Sequence, residues 1–190
     1  MKGRKRLEVP WIPTPLEIVY KALTLAKVNK GDVIYDLGCG DGRVVIVAAK
    51  DFSAKAVCIE LNELLCKVSD LIVERLGLTD RVKVLCEDFF NVTLRDASVI
   101  YTYLYTSVNR SLSLKFENEL MLGTRIITLD FPIPGWVPYL VRRVSDSSGY
   151  IRTLRLYVIG ISNPKALIIR GYVSKDKLLS FEKRLCSSDG

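Results

Sequence analysis

Residues 33–43 read VIYDLGCGDGR, an apolar run that leads into a turn containing three glycines. The run Val33–Leu37 predicts a buried β-strand, and a helix over about residues 42–52 is predicted to follow the turn. Gly38 and Gly40 allow the backbone to approach a ligand closely, and the amino end of the helix offers unpaired N–H groups to an anion. This stretch therefore predicts a strand–loop–helix unit that binds a nucleotide-like molecule.

The remaining chain alternates β-rich and helical runs, which indicates a parallel sheet covered by helices. Further strands are predicted at 56–60, 82–86, 98–104, 124–130, 137–144 and 150–160. A turn at 146–149 joins the last two strands into a hairpin. We therefore predict the α/β class, with a Rossmann-like, seven-stranded, mostly parallel sheet, helices on both faces and a C-terminal β-hairpin.

Local signals define the helices. Thr14 and Glu17 form the pattern of a capping box, which predicts a helix that begins there and runs to about Lys27. A further helix is predicted from Asn62, and another over about 108–122. The helix from Asn62 is predicted to bury one apolar face. That face comprises Leu65, Val68, Ile72 and Leu76.

The net charge of +7 is carried by the two ends of the chain. Residues 7–163 hold equal numbers of basic and acidic residues, so the surplus lies in residues 2–6 and 164–190. Solvated ends and a basic arm and tail that attract an acidic partner are both compatible with this distribution. No apolar run reaches the ~20 residues that span a bilayer, and the first residues lack the apolar core of a secretion signal. We expect no membrane association and a cytoplasmic location.

The cysteines do not form a metal-binding pattern. The chain has five cysteines without a CxxC pair, and it has no histidine, so neither a structural zinc site nor any other metal is expected. Without a secretion signal, we expect free and mostly buried thiols. These are Cys39, Cys58, Cys66, Cys86 and Cys186.

The glycine spacing distinguishes between nucleotide ligands. The dinucleotide fingerprint is G-x-G-x-x-G, whereas the third glycine here, Gly42, comes one residue early. Asp36 would repel a pyrophosphate but attract the amino group of a methionine moiety. Glu60 ends the second predicted strand, where a carboxylate can accept hydrogen bonds from ribose hydroxyls. These residues favour S-adenosylmethionine over a nicotinamide cofactor.

The same stretch resembles motif I of class I methyltransferases. Over roughly residues 9–160 the chain also resembles the small archaeal protein-lysine methyltransferases and the eukaryotic relatives that methylate lysines of mitochondrial proteins. VPWIPTP at residues 9–15 and the Gly135-Trp136 pair indicate this family in particular. The resemblance implies a methyltransferase domain over 14–160, between an extended arm (1–13) and an extension of unknown role (161–190). Within that extension, a strand at 166–173 and a helix at 175–186 are predicted.

The resemblance also implies a set of site residues. Those expected to bind the cofactor are Thr14, Asp36, Gly38, Cys39, Gly40, Glu60, Leu61, Asp88, Phe89 and Tyr103. Asp88 is expected at the adenine amino group, with Glu87 as an alternative. Tyr103 and Asp130 are the expected catalytic residues, with Asp130 orienting the acceptor amine. Trp11 and Trp136 either wall the acceptor site or serve in packing.

The methyl acceptor implied by the resemblance is the lysine side chain of a protein. The segment after the fourth strand lacks the Asn/Asp-Pro-Pro-Tyr/Phe motif that holds planar amines, which disfavours N-methylation of bases or glutamine. Three alternatives remain open: an RNA methyltransferase, a small-molecule methyltransferase, and a non-catalytic module that binds S-adenosylmethionine. A lysine acceptor must lose a proton, and the chain has no histidine to take it.

Overall fold

One mixed sheet organises residues 11–163, the part of the chain that this computed structural model describes. Its seven strands are β1 (Val33–Leu37), β2 (Lys55–Glu60), β3 (Val82–Cys86), β4 (Val99–Thr102), β5 (Arg125–Leu129), β6 (Leu140–Ser145) and β7 (Ile151–Val158). The helices are α1 (Leu16–Leu25), α2 (Arg43–Asp51), α3 (Glu63–Arg75) and α4 (Thr106–Glu119). The strand and helix predicted at 166–173 and 175–186 lie outside the described residues.

The strand order is β3-β2-β1-β4-β5-β7-β6. The first five strands are parallel to one another, and β7 runs antiparallel to both β5 and β6. The predicted Rossmann-like, mostly parallel sheet with a C-terminal hairpin is therefore confirmed. Because β7 is reversed, its first residues lie at the same edge as the carboxyl ends of the parallel strands, where ligands bind in such sheets.

The core lies on both faces of the sheet because successive side chains of a strand point to opposite sides. Ile34 packs with α1 and α2 on one face, whereas Leu37 packs with α4 on the other. Trp136 belongs to the second cluster, with its ring centre 6.4 Å from that of Phe116 and 6.2 Å from that of Tyr157. Of the two roles open for Trp136, the structure shows packing. No helix within residues 11–163 has the length and apolarity needed to cross a membrane.

The predicted capping box is wrong. The N-cap of α1 is Pro15, and no side chain caps the helix. The Thr14 hydroxyl instead lies 3.3 Å from the Tyr101 hydroxyl on β4, and Glu17 Oε1 accepts a hydrogen bond of 2.8 Å from the Ser147 N–H. Both side chains are engaged by partners distant in sequence, which local spacing does not reveal.

The predicted apolar face of α3 is displaced by one residue: Leu65, Val68 and Ile72 are only partly buried. The buried positions are Cys66, Ser69 and Val73, while Leu76 is exposed. The helix is rotated because Cys66 and Ser69 face the β3 strand and the glycine turn, with which they form specific contacts. The hydrophobic pattern carries no information about those contacts.

Several boundaries differ by a few residues. The first helix ends at Leu25 rather than near Lys27. The fourth covers Thr106–Glu119 rather than 108–122, because the backbone is extended at Leu120. The first strand of the hairpin begins at Leu140 rather than at 137. Element ends are the least determined feature of a sequence pattern, and none of these shifts moves the edge where the strands end.

The aromatic residues packed between α4 and the sheet provide a test of this packing. Phe116 is 0% exposed, so Phe116→Ala should lower the free energy of unfolding by about 3–5 kcal/mol. On the same helix Leu114 is 64% exposed, so Leu114→Ala should change it by less than about 0.5 kcal/mol. Equilibrium urea denaturation measures both variants, and equal losses would contradict the assigned orientation of α4.

Candidate functional site

The glycine loop after β1 is fixed to the end of β2. Gly38 and Gly40 have φ angles of +81° and +59°, which residues with a side chain rarely adopt. The Gly38 N–H donates to the Ile59 carbonyl over 2.8 Å, and the Gly40 N–H donates to Glu60 Oε2 over 2.9 Å. These bonds bring the predicted residues Gly38, Gly40 and Glu60 together around one loop.

Helix α3 supports the loop from the other side. The Ser69 hydroxyl is fully buried and lies 2.7 Å from the Gly40 carbonyl oxygen. Gly42, the N-cap of α2, faces the same serine: a β-carbon at Gly42 would come within 3.3 Å of the Ser69 side chain. The loop is therefore held from both sides, and Ser69 is a structural member of the site that the sequence did not reveal.

Asp36 contributes a buried carboxylate beside the loop. Its side chain lies between Cys58 and Tyr101 on neighbouring strands, and the residue is 3% exposed. Among the described residues, none donates a hydrogen bond to this carboxylate. Burial, with Glu60 and then Asp41 nearby, raises the pKa of Asp36 well above its ordinary value. A cationic ligand group here would compensate the buried charge.

Glu60 presents a carboxylate with free acceptor capacity. Oε2 accepts from the Gly40 N–H, and Oε1 accepts from the Asn62 N–H over 2.8 Å. A carboxylate has about four acceptor sites, so each oxygen can accept a further hydrogen bond, as a pair of ribose hydroxyls would require. Leu61 follows at the same edge and is exposed.

The segment before α1 is tied to the glycine loop. Arg43, at the start of α2, pairs with Asp41 and donates a 2.8 Å hydrogen bond to the Thr14 carbonyl. The indole of Trp11 lies directly against Gly40, where a β-carbon would overlap it. Thr14 thus lies beside the loop, with Arg43 as the residue that holds it there, and its predicted contact with the cofactor stays a prediction.

Asp88 and Phe89 follow β3 at the same edge of the sheet. Asp88 Oδ1 accepts a 2.9 Å hydrogen bond from the Phe90 N–H, and both Asp88 and Phe89 are partly buried. Glu87, the alternative to Asp88, is exposed. No bond links Asp88 or Phe89 to the glycine loop within residues 11–163, so their predicted roles at the adenine depend on their shared position at the ends of adjacent strands.

An aromatic group occupies the end of β4. The Tyr103 ring is stacked on Phe131, with 6.0 Å between ring centres, and Tyr105 meets Phe131 edge-on at 5.4 Å. Tyr103 also accepts a hydrogen bond of 2.6 Å from Arg152 Nη2. Burial raises the pKa of Tyr103 and the nearby Arg152 opposes that shift, so its hydroxyl is neutral at physiological pH.

Asp130 is joined to this group through Arg152. Its Oδ2 lies 3.0 Å from Arg152 Nε, and its Oδ1 accepts a 2.9 Å hydrogen bond from the Thr153 N–H. The sequence did not reveal Arg152. The only available signal was its position at the start of the second hairpin strand, which an antiparallel pairing brings to the ligand-binding edge.

The expectation of free thiols is wrong for four of the five cysteines. Cys39 in the glycine loop is bonded to Cys58 on β2, with Cα atoms 5.3 Å apart, and Cys66 on α3 is bonded to Cys86 on β3, with Cα atoms 5.7 Å apart. Each bridge links adjacent strand–helix units on the β1–β3 side of the site. Cys186 lies outside the described residues.

The site fits S-adenosylmethionine on three structural observations. The left-handed glycines bend the main chain around the carboxyl end of β1, Asp36 is a buried carboxylate without a hydrogen-bond donor in the described chain, and Glu60 has acceptor sites left for a diol. A methionine ammonium and a ribose carry the matching groups. A pyrophosphate would meet two carboxylates instead.

Comparison with known proteins agrees with this interpretation. The family described as ANTKMT methyltransferase domain matches residues 36–140. A protein-lysine N-methyltransferase of Saccharolobus islandicus is 43% identical over 153 residues, which cover 80% of this chain and 94% of that protein. The mouse adenine nucleotide translocase lysine N-methyltransferase is 34% identical over 72% of this chain, which spans 59% of the mouse protein.

A solved structure has the same fold. It is described as an RNA methyltransferase from Salinibacter ruber in complex with S-adenosyl-L-homocysteine, with a TM-score of 0.73 and 35% identity. The match covers 78% of this chain and 94% of the other. Its bound product of S-adenosylmethionine agrees with the ligand chemistry inferred from Asp36 and Glu60.

Removing the charge of Asp36 is expected to raise the stability of the protein and to lower its affinity for the cofactor. Because the pKa of Asp36 is raised, at pH values above the ordinary aspartate pKa of 3.8 the folded protein binds more protons than the unfolded chain does. The free energy of unfolding therefore falls as the pH rises towards the shifted pKa. Asp36→Asn should therefore raise the melting temperature of the cofactor-free protein at pH 7. It should weaken S-adenosylmethionine binding by roughly 10- to 150-fold, the equivalent of a charged hydrogen bond of about 1.5–3 kcal/mol.

Calorimetric titration and thermal denaturation measure the two effects. The wild-type affinity should also weaken as pH falls, because protonation of Asp36 removes the charge that attracts the ammonium group. Asp70→Asn, on the exposed side of α3, is the matched control and should change neither quantity. Undiminished binding by Asp36→Asn would contradict the assigned role of this carboxylate.

The disulfides can be counted directly. Protein purified without reductant and unfolded in guanidinium should show one titratable thiol, Cys186, and five after reduction. The bridged residues are 19 and 20 positions apart. Closing a loop of this length lowers the entropy of the unfolded chain and stabilises the folded protein by about 3 kcal/mol for each bridge. Reduction should therefore lower the melting temperature of the wild type but not of a variant with all four bridged cysteines replaced by alanine. Five free thiols before reduction would refute both bridges.

Proposed function

The chain belongs to the ANTKMT methyltransferase family and is an S-adenosylmethionine-dependent methyltransferase, and from this premise we propose that its acceptor is the lysine side chain of a protein. The structural observation that carries the proposal is the aromatic group formed by Tyr103, Tyr105 and Phe131 at the end of β4, next to the glycine loop. Aromatic faces accommodate both the aliphatic stem and the nitrogen of a lysine. The relatives named as lysine methyltransferases support the same acceptor.

We propose that the cofactor is held by four groups of residues. Asp36 binds the ammonium group of the methionine part, and Glu60 binds the ribose hydroxyls, with Leu61 beside them. Asp88 and Phe89 contact the adenine. Thr14, Gly38, Cys39 and Gly40 form the wall around the methionine part. When bound, S-adenosylmethionine supplies an electrophilic methyl group on a sulfonium, which an amine takes by in-line displacement.

The acceptor nitrogen must be neutral to attack. Neutralising a lysine with a pKa of ~10.4 costs about 4.6 kcal/mol at pH 7. The chain has no histidine to act as a base, so the proton leaves to water before the amine enters. Burial among Tyr103, Tyr105 and Phe131 lowers the amine pKa and favours this loss. The Tyr103 hydroxyl then accepts an N–H hydrogen bond and orients the nitrogen lone pair, while Asp130 holds the surrounding side chains.

RNA is the second candidate acceptor. It is favoured by the basic residues at 2–6 and 164–190 and by the solved structure described as an RNA methyltransferase. Residues 7–163 are electrically balanced, whereas RNA binding depends on a cationic surface over the fold. The lysine acceptor therefore agrees better with the charge of the folded part.

A labelling experiment distinguishes the acceptors. The protein is incubated with tritiated S-adenosylmethionine and a cell extract divided into protease-treated, ribonuclease-treated and untreated portions. Label should persist after ribonuclease, disappear from the precipitate after protease, and be recovered as methylated lysine after acid hydrolysis. Extract proteins whose lysines have been acetylated should accept no label, because the amide nitrogen is not nucleophilic.

Asp36→Asn serves as the control protein, since it should bind less cofactor and should therefore transfer proportionally less label. Label that ribonuclease removes and that is recovered in nucleosides would replace lysine by RNA as the acceptor. Cofactor binding without any transfer would indicate a non-catalytic module and contradict the proposed enzyme activity.

A further inference from the structure

We propose that Arg152 is a positioning residue for methyl transfer, which holds the hydroxyl of Tyr103 in place and is itself held by Asp130. The proposal rests on the function proposed above, because it assigns Tyr103 to the acceptor side of that reaction. It extends the site to the hairpin of β6 and β7, which contains none of the site residues predicted from the sequence.

The reversed direction of β7 brings Arg152 to the site. Arg152 is the second residue of β7, and the pairing of Leu154 with Leu129 places the start of this strand beside the end of β5. Leu154 is two residues further along, so it shares the face of Arg152, and it packs in the cluster that contains Tyr101 and Leu129. Arg152 therefore lies over the same face as Tyr101, at the edge where the parallel strands end.

Two contacts fix Tyr103 against Arg152. Arg152 Nη2 donates to the Tyr103 hydroxyl over 2.6 Å, and the guanidinium carbon lies 5.1 Å from the centre of the Tyr103 ring. The hydrogen bond sets the direction of the hydroxyl, and the cation–π contact restrains the ring. Phe131 packs on the ring as well, so Tyr103 is restrained by side chains from β7 and from the loop after β5.

Asp130 provides a rigid anchor for the arginine. Its carboxylate binds Arg152 through Oδ2 and the Thr153 N–H through Oδ1, while its own carbonyl accepts a 2.7 Å hydrogen bond from Arg155 Nη1. The backbone of Asp130 has a φ of +59°, a conformation that a non-glycine residue keeps only when its surroundings hold it. The Arg152 Nε–H is not aligned with Oδ2, so the contact is an ion pair rather than a hydrogen bond.

These contacts determine what Tyr103 can offer to an acceptor. A tyrosine hydroxyl has one proton and two lone pairs, and Arg152 occupies one lone pair. The second lone pair can accept an N–H from the amine and thereby direct the nitrogen lone pair towards the methyl group. Asp130 contributes to this arrangement by holding Arg152, with which its Oδ2 forms an ion pair, while its Oδ1 accepts from the Thr153 N–H.

A double-mutant cycle tests the proposal. Arg152→Gln and Tyr103→Phe should each lower kcat by about 10- to 100-fold, since small displacements of an acceptor reduce the rate to this extent. The double variant should be no slower than Tyr103→Phe alone, because the arginine acts through the tyrosine hydroxyl. The affinity of Arg152→Gln for S-adenosylmethionine, measured by calorimetry, should stay within about twofold of wild type. Arg152→Lys, which keeps the charge without the planar fork, should recover part of kcat.

Arg143→Gln is the matched control, since Arg143 is an exposed arginine on the neighbouring strand β6 and should leave kcat unchanged. If losses of Arg152→Gln and Tyr103→Phe multiply, Arg152 has a separate structural role and the proposal fails. It fails equally if Arg152→Gln retains wild-type kcat. A wild-type protein that transfers no methyl group to any acceptor would contradict the proposed function itself, so the two failures are distinguishable.

Discussion

The anchoring of the glycine loop to the end of β2 is the constraint on which the site depends. The Gly38 and Gly40 amides reach Ile59 and Glu60, so the loop cannot move away from the carboxyl edge of the sheet. The bond to Gly40 also orients the Glu60 carboxylate along the loop, and each of its oxygens can still accept a further hydrogen bond. A single set of contacts thus fixes the loop that approaches the ligand and orients the carboxylate suited to its sugar.

Asp36 is the buried carboxylate beside this loop whose charge is left uncompensated by the described chain. The surrounding strands bury the carboxylate without giving it a hydrogen-bond donor among the described residues, and its raised pKa reflects that burial. Replacing it by an uncharged residue would remove the electrostatic cost of burying the charge and, in the proposed role, would weaken cofactor binding at the same time. The N-terminal segment closes over this region through the Arg43–Thr14 hydrogen bond and the Trp11 ring on Gly40, so cofactor binding and packing of that segment share one location.

The glycine loop and the carboxylate at the end of β2 were predictable because their signals are local. VIYDLGCGDGR contains the strand, the turn and the start of the helix within eleven residues, and the position of Glu60 follows from the end of the next strand. The errors concern side chains whose partners are distant in sequence. Thr14 could not be recognised as a partner of Tyr101, and neither disulfide could be assigned, because both depend on distances between separate strand–helix units. The fold class was set by the alternating pattern, whereas the rotation of α3 was set by contacts with the loop.

The two halves of the site are built by different means, and this difference bears on which acceptor is used. The nucleoside half is assembled from consecutive strand–helix units, joined by main-chain hydrogen bonds and two disulfides. The half that we propose for the acceptor is assembled by side chains that follow β4 and β5 and by the reversed strand β7. The family match covers residues 36–140, and Arg152 lies beyond that range. The chain is similar both to a protein named for lysine methylation and to a structure named for RNA methylation, so the shared fold alone does not decide the acceptor, and the side chains beside the cofactor must.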